Sequence, residues 1–223
     1  DITRIMIESG FRYRDKIVWV KPKGYSRISR RSGLVLQNPY PMYFYPDNIQ
    51  ESILMFQKGK FDYEYARKLD HKVREQSRID KREYNESEWY LTVWNITNVL
   101  PLRGRLEEGV AAFPEEIPKR LIRLFTYVGE TILDPFVGSG TTMKVAKELE
   151  RNSWGYEIDL ELKPVILEKV GFGRATQMEE KDTVEIFERS DARRLRGFLQ
   201  SRVGMQKSVT KSERLLSGRQ SAR

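Results

Sequence analysis

Hydrophobic positions in this chain arrive in short bursts separated by polar stretches. Residues 4–9 (RIMIES) read as a helix, ended by Gly10. KIVWV, residues 16–20, is a compact β-branched and aromatic run stopped by Lys21-Pro22, which predicts a strand. MYFY (42–45) and SILMFQK (52–58) predict further strands or a strand pair, so residues 1–58 read as half of a sheet with a covering helix. Strand-like apolar alternation returns in WYLTVWNIT (89–97). FPEEIPKRLIRLFTYVG (113–129) then predicts a helix with prolines and glutamates in its first turn. Ile117, Leu121 and Phe125 share one face of it, and Gly129 stands where a C-terminal cap belongs.

The stretch between these patterns has another character. Residues 60–88 hold eight acidic and eight basic side chains in 29 positions, with few apolar anchors. That composition predicts a solvated helical excursion or partly mobile insertion rather than core. Beyond about Gly173 the chain is charged and weakly periodic, which predicts peripheral helices followed by a loose basic tail. There is no internal repeat.

Composition narrows the chemistry. With 223 residues the chain can form one sizeable α/β domain, and no apolar run approaches the roughly 20 residues a membrane span needs. The absence of cysteine removes disulfides, thiolate nucleophiles and cysteine-ligated metals. A single histidine, His71, makes a histidine metal site or a Ser-His-Asp triad improbable, and its charged surroundings read as surface. No metal is expected. The net charge of +8 is unevenly spread: residues 21–31 carry Lys21, Lys23, Arg27, Arg30 and Arg31 without an acid. Residues 201–223 hold six basic residues against Glu213. Such clusters suit phosphate backbones, and in the first of them Gly24, Tyr25 and Ser26 interleave with the cations as in a nucleic-acid loop. For the tail, plain solubilising charge is an equal reading.

The most informative stretch is DPFVGSGTT, residues 134–142. ETILD supplies a short apolar strand ending at Asp134, and TTMKVAKELE supplies a helix with Val145 and Leu149 four apart. Gly138-Ser139-Gly140 is then a tight strand-to-helix turn, where glycines let a ligand approach the backbone and the helix dipole favours negative charge. The next strand, SWGYEID, has Glu157 near its carboxyl end, 23 residues after Asp134. An acid about 20 residues beyond a glycine-rich βα turn is the device that grips ribose hydroxyls. Asp134 suits an ammonium or a hydroxyl and would repel a pyrophosphate. The ligand inferred is an amino-acid-bearing nucleoside, S-adenosylmethionine.

These residues resemble the amino-methyltransferases of DNA, in the circularly permuted group whose catalytic region precedes the cofactor region. The resemblance spans roughly residues 1–170, carried by GFRYRDKIVWVKP (10–22), ESILMFQKG (51–59), VWNI (93–96), FPEEIPKRLI (113–122) and DPFVGSGTT. It implies an α/β, Rossmann-like S-adenosylmethionine-dependent methyltransferase fold with a mostly parallel central sheet and helices on both faces. By position, Asp134, Pro135, Phe136, Gly138, Ser139, Gly140, Thr141 and Thr142 would surround the methionine part of the cofactor, and Glu157 would hold the ribose. Phe113, Pro114 and Glu116 would belong to the neighbouring cofactor motif, while Gly109 stands where family members often have His. Four segments follow: 1–58 as the catalytic half of the sheet, 59–105 as a charged insertion with a target-recognition role, 106–172 as the cofactor half, and 173–223 as a peripheral segment with the basic tail.

The family's catalytic motif, (Asp/Asn/Ser)-Pro-Pro-(Tyr/Phe/Trp), is not found in the 223 residues and is expected upstream of Asp1. NPYP (38–41) is the substitute within the chain, with Asn38 and Tyr40 as catalytic candidates against a turn packed by aromatics. The resemblance implies methyl transfer to the exocyclic amine of a flipped base, with cytosine N4 placed slightly ahead of adenine N6. It further implies double-stranded DNA as partner, with Lys23, Arg27, Arg30 and Arg31 contacting phosphates or base edges. A restriction-modification setting, a homodimer and a cognate endonuclease acting in the same system belong to the same expectation, with no membrane partner and a cytoplasmic location. Two rival readings stand beside it. One is a non-catalytic DNA-binding module that keeps the fold. The other is a nicotinamide-dependent dehydrogenase, opposed by the missing third glycine and the DPF entry.

Overall fold

The computed structural model describes residues 1–22, 48–97, 113–172, 182–191 and 194. MYFY, the basic run from Lys23 to Arg31, Asn38, Tyr40, Gly109 and the tail from residue 201 lie outside the described residues. Helix α1 (Ile2–Glu8) is capped by the Asp1 side chain, and Gly10 takes φ +84° in the turn after it. Strand β1 (Arg12–Val20) extends the predicted run towards its N-terminus. It pairs antiparallel with β2 (Gln50–Gln57) and parallel with β3 (Val93–Asn95), in the order β2-β1-β3.

Burial explains why β1 works as a central strand. Its first five residues are exposed, and then Ile17 and Trp19 alternate inward to join Trp94, Ile96 and Ile117 in one core cluster. Trp94 is 1% exposed, and the Trp19 indole N–H donates to the Ile96 carbonyl at 2.7 Å, so Trp19 brings its polar atom into the core satisfied. The apolar run 89–97 yields only the three residues of β3. The amides of Trp89 and Leu91 donate to the carbonyls of Tyr84 and Glu88, closing the preceding helix, and so cannot join the ladder.

The charged segment folds into three six-residue helices, α2 (Tyr63–Lys68), α3 (His71–Gln76) and α4 (Lys81–Glu86), each N-capped by an aspartate: Asp62, Asp70 and Asp80. His71 is exposed. The segment is anchored rather than free. The Ser77 hydroxyl accepts from the Val128 amide at 2.8 Å, and Glu83 accepts from Lys119 at 2.8 Å and from Arg123 at 2.5 Å. Lys119 and Arg123 belong to the next helix, α5 (Glu116–Phe125).

Helix α5 has two packing faces. Ile117, Leu121 and Leu124 meet the three-stranded sheet, while Ile122 packs with Val145 and Ala146. Phe125 leaves the predicted apolar face and is 63% exposed. The helix also stops earlier than Gly129: Thr126 turns extended, and its amide and hydroxyl both donate to the Ile122 carbonyl. Gly129, at φ +84°, serves instead the turn into β4 (Thr131–Asp134). After β4 come α6 (Thr141–Glu148), β5 (Asn152–Gly155), a 3-10 turn (Leu160–Leu162) and α7 (Lys163–Val170).

Strands β4 and β5 pair in parallel from Thr131↔Asn152 to Asp134↔Gly155. Buried Arg151 ties the carboxyl ends of α5 and α6 together, donating to Thr126 O at 2.8 Å and Leu149 O at 2.6 Å. These carbonyls sit at the negative ends of two helices, where a cation is favoured. The parallel βαβ unit and the parallel β1–β3 pair, covered by helices, make a Rossmann-like α/β fold. Among the described residues the strands form two sheets rather than the single sheet expected, with α5 packed against both. Residues 182–189, expected to be helical, carry no regular secondary structure. Among the described residues no helix is long and apolar enough to cross a membrane.

Burial pushes the Glu83 pKa up, but the hydrogen bonds and charges of Lys119 and Arg123 outweigh it and hold the carboxyl below its ordinary 4.5. Its contribution to stability is therefore present above that value and lost as pH falls through the lower folded value. The wild-type melting temperature should fall between about pH 5 and 3 more steeply than that of Glu83→Gln. Parallel pH profiles of the two proteins would show that the clamp contributes nothing.

Candidate functional site

The site is built where β4 and β5 end. Beyond the last paired residues the backbone continues with Tyr156 N–H donating to Asp134 O (3.0 Å) and Val137 N–H donating to Tyr156 O (3.1 Å). The Asp134 carboxylate accepts from the Phe136 amide at 3.0 Å, which turns the chain sharply after the strand. Gly138 at φ +56° and Gly140 at φ +90° then carry it through the left-handed region into α6. Gly140 is the N-cap and has no side chain to offer, so no side chain caps the first-turn amides of α6 and they remain available to an acceptor on a ligand.

Gly155 permits this construction. A Cβ there would lie 2.4 Å from Val137 Cγ2 and 2.8 Å from Met143 Sδ, so β5 approaches the turn and α6 more closely than any side chain allows. Two residues later Glu157 bridges the crest. Its Oε2 accepts from the Gly138 amide and its Oε1 from the Asp159 amide, both at 2.8 Å.

Around the two carboxylates the surface is apolar and open: Phe136 is 86% exposed, and Tyr156 and Ile158, either side of Glu157, are also exposed. Two carboxylates, helix amides and bare apolar side chains together suit a flat, partly apolar ligand carrying hydroxyls, an ammonium and an anionic end. No nucleophile is needed for such a site to bind.

The sequence candidates divide accordingly. Asp134, Pro135, Phe136, Gly138, Ser139, Gly140, Thr141, Thr142 and Glu157 form one continuous crest. Pro135 and Phe136 are exposed and Thr142 half-buried, whereas Ser139 and Thr141 are buried. Phe113 packs against the Trp19–Trp94 core cluster, Pro114 is buried with its carbonyl accepting from Ile117, and Glu116 pairs with Arg120 at 2.8 Å. These three stand at the start of α5, and an ion pair from there to the crest helix is made by Glu115, which meets Lys144 at 2.8 Å. That hydrogen bond raises the Lys144 pKa against the opposing effect of burial. Glu115, Lys144 and Gly155 do not stand out in the sequence; the glycine inside strand-like SWGYE was the available signal. The catalytic candidates Asn38 and Tyr40, and the DNA candidates Lys23, Arg27, Arg30 and Arg31, lie outside the described residues.

The DNA methylase family model for N6 and N4 methyltransferases matches residues 2–168. The type II methyltransferase M.MjaI of Methanocaldococcus jannaschii is 42% identical over 164 residues, covering 73% of this chain and 50% of its own length. M.MthZI of Methanothermobacter thermautotrophicus is 31% identical, covering 73% and 44%. Among solved structures, the putative DNA modification methylase TTHA0409 of Thermus thermophilus, complexed with S-adenosyl-L-methionine, aligns with TM-score 0.54 at 25% identity over 76% of this chain and 59% of its own. The chain spans about half the length of the curated relatives it matches.

The close approach at Gly155 has a measurable consequence. Gly155→Ala should lower stability by about 1–3 kcal/mol, the usual cost of overpacking. Urea denaturation would show this as a lower midpoint with an unchanged m-value. An unchanged midpoint would mean that β5 and the turn are not in the contact described.

Proposed function

This chain belongs to the DNA methylase family, and on that premise we propose that it binds S-adenosylmethionine at the β4–β5 crest and serves methyl transfer to DNA. The observation that carries the reading is the pairing of the DPFVGSGTT turn with Glu157, whose carboxylate lies against the Gly138 amide. The S-adenosyl-L-methionine complex of TTHA0409 and the type II methyltransferase identity of M.MjaI and M.MthZI support it.

The bound cofactor supplies a methyl group on a sulfonium, activated for in-line displacement. The chain's own residues hold and orient it. Asp134 receives the ammonium of the methionine end, the first-turn amides of α6 receive its carboxylate, and Glu157 accepts from the ribose hydroxyls. Phe136, Tyr156 and Ile158 line the adenine with apolar surface. Phe113, Pro114 and Glu116 keep their proposed place in the neighbouring cofactor motif.

The acceptor is the exocyclic amine of a base flipped out of double-stranded DNA. Such an amine is a poor nucleophile because its lone pair is delocalised into the ring, so oxygens must accept its hydrogens as the nitrogen becomes tetrahedral. That work falls to the tetrapeptide not found in these residues, with Asn38 and Tyr40 as its candidates within the chain. We keep cytosine N4 ahead of adenine N6, Lys23, Arg27, Arg30 and Arg31 as the DNA contacts, and a cytoplasmic restriction-modification setting. The permuted motif order, a homodimer and a cognate endonuclease in the same system belong to the same reading.

Incubating the intact protein with labelled S-adenosylmethionine and mixed-sequence duplex DNA, then digesting to nucleosides, tests this directly. A labelled N4-methylcytosine or N6-methyladenine is the expected product and names the base. Cofactor binding without any methylated base would favour the non-catalytic DNA-binding module instead.

A further inference from the structure

The turn DPFVGSGTT contains no lysine, yet one reaches it from elsewhere in the fold. Lys169 Nζ lies 2.7 Å from Ser139 Oγ and 3.2 Å from Thr141 Oγ1, the two hydroxyls flanking left-handed Gly140. Both hydroxyl residues are buried, at 4% and 5% exposure. Ile166 and Val170 stand one helical turn apart on α7, with Lys169 beside them. They press against Gly140, where a Cβ would find Ile166 Cγ2 at 3.4 Å and Val170 Cγ2 at 3.5 Å. The helix thus seats the turn by apolar contact and secures it by an ammonium.

The chemistry of this contact is more than packing. An ammonium can only donate, so Ser139 and Thr141 must both act as acceptors towards it. Among the described residues Lys169 has no carboxylate partner. Its ammonium stands beside the turn, where its positive charge adds to the positive end of α6. A donor satisfies the two buried hydroxyls, and because this donor carries a charge it also favours an anion on the turn.

We propose that Lys169 is a positioning residue for the cofactor turn. It fixes Ser139-Gly140-Thr141 and supplies the charge that favours the carboxylate end of the amino-acid part of the ligand. This rests on the proposed S-adenosylmethionine site and adds to it which end of the ligand α7 controls. Lys169 acts through the turn and touches neither the methyl group nor the base.

The experiment uses two ligands that share a nucleoside. S-adenosylhomocysteine has the amino-acid end, and 5′-methylthioadenosine lacks it. Titration calorimetry on the intact protein should show Lys169→Met weakening S-adenosylhomocysteine by about tenfold or more, as loss of charge-assisted hydrogen bonds predicts. Methylthioadenosine affinity should stay within about twofold, and Lys169→Arg should restore most of the loss. Ser139→Ala, which leaves α7 untouched, should weaken the same ligand selectively. Equal weakening of both ligands would reduce Lys169 to a structural brace and overturn the proposal, as would unchanged affinity for both. If the wild-type protein binds no S-adenosylhomocysteine, the parent reading fails and this one falls with it.

Discussion

The hydrogen bond from the Gly138 amide to the Glu157 carboxylate is the constraint on which the crest depends. It joins the turn after β4 to the chain leaving β5, and it forms only because those strands are in register to their last residues, Asp134 opposite Gly155. The register requires β5 to pass within contact of Val137 and Met143, and Gly155 alone makes that approach admissible. Position of the carboxylate, shape of the turn and absence of a side chain at Gly155 are one condition stated three times.

Beneath the crest, α5 distributes the load. It holds the three-stranded sheet through Ile117 and the βαβ unit through Ile122, so both cores share one helix. Arg151 fastens its carboxyl end, Glu115–Lys144 fastens its start, and Glu83 clamps the charged segment along its length. A segment whose composition reads as solvent-facing is thereby tied to the helix that packs against the βαβ unit of the DPFVGSGTT turn. One of its acids, Glu83, carries this tie, while Glu64, Glu75 and Glu86 pair with cations of the segment itself.

Much of this was legible in the sequence. Local pattern placed α1, β1, β2, α5, β4 and α6. Ile17 and Trp19 of β1 and Ile117 and Leu121 of α5 face the core at their element's period, whereas α1 buries no residue and was marked by its end at Gly10. The site turn and Glu157 were legible because glycine positions and an acid at a set distance have few other uses. What escaped was non-local. Nothing near Phe125 says that Thr126 will end the helix, and nothing near Trp89 says that its amide closes α4 instead of extending a strand. Lys169, 29 residues beyond Gly140, joins the turn only once α7 is packed on it. Charges that look alike in sequence are sorted by tertiary contact alone.

The central claim is that the β4–β5 crest is a nucleoside site gripped by Glu157. Titrating S-adenosylhomocysteine into the intact wild-type protein and into Glu157→Ala tests it most directly. The predicted result is saturable one-to-one binding by the wild type and an affinity about ten- to a hundredfold weaker in the variant, the range expected for hydrogen bonds to a charged acceptor. Equal affinity in the two proteins, or tight binding of NADH in place of S-adenosylhomocysteine, would contradict it.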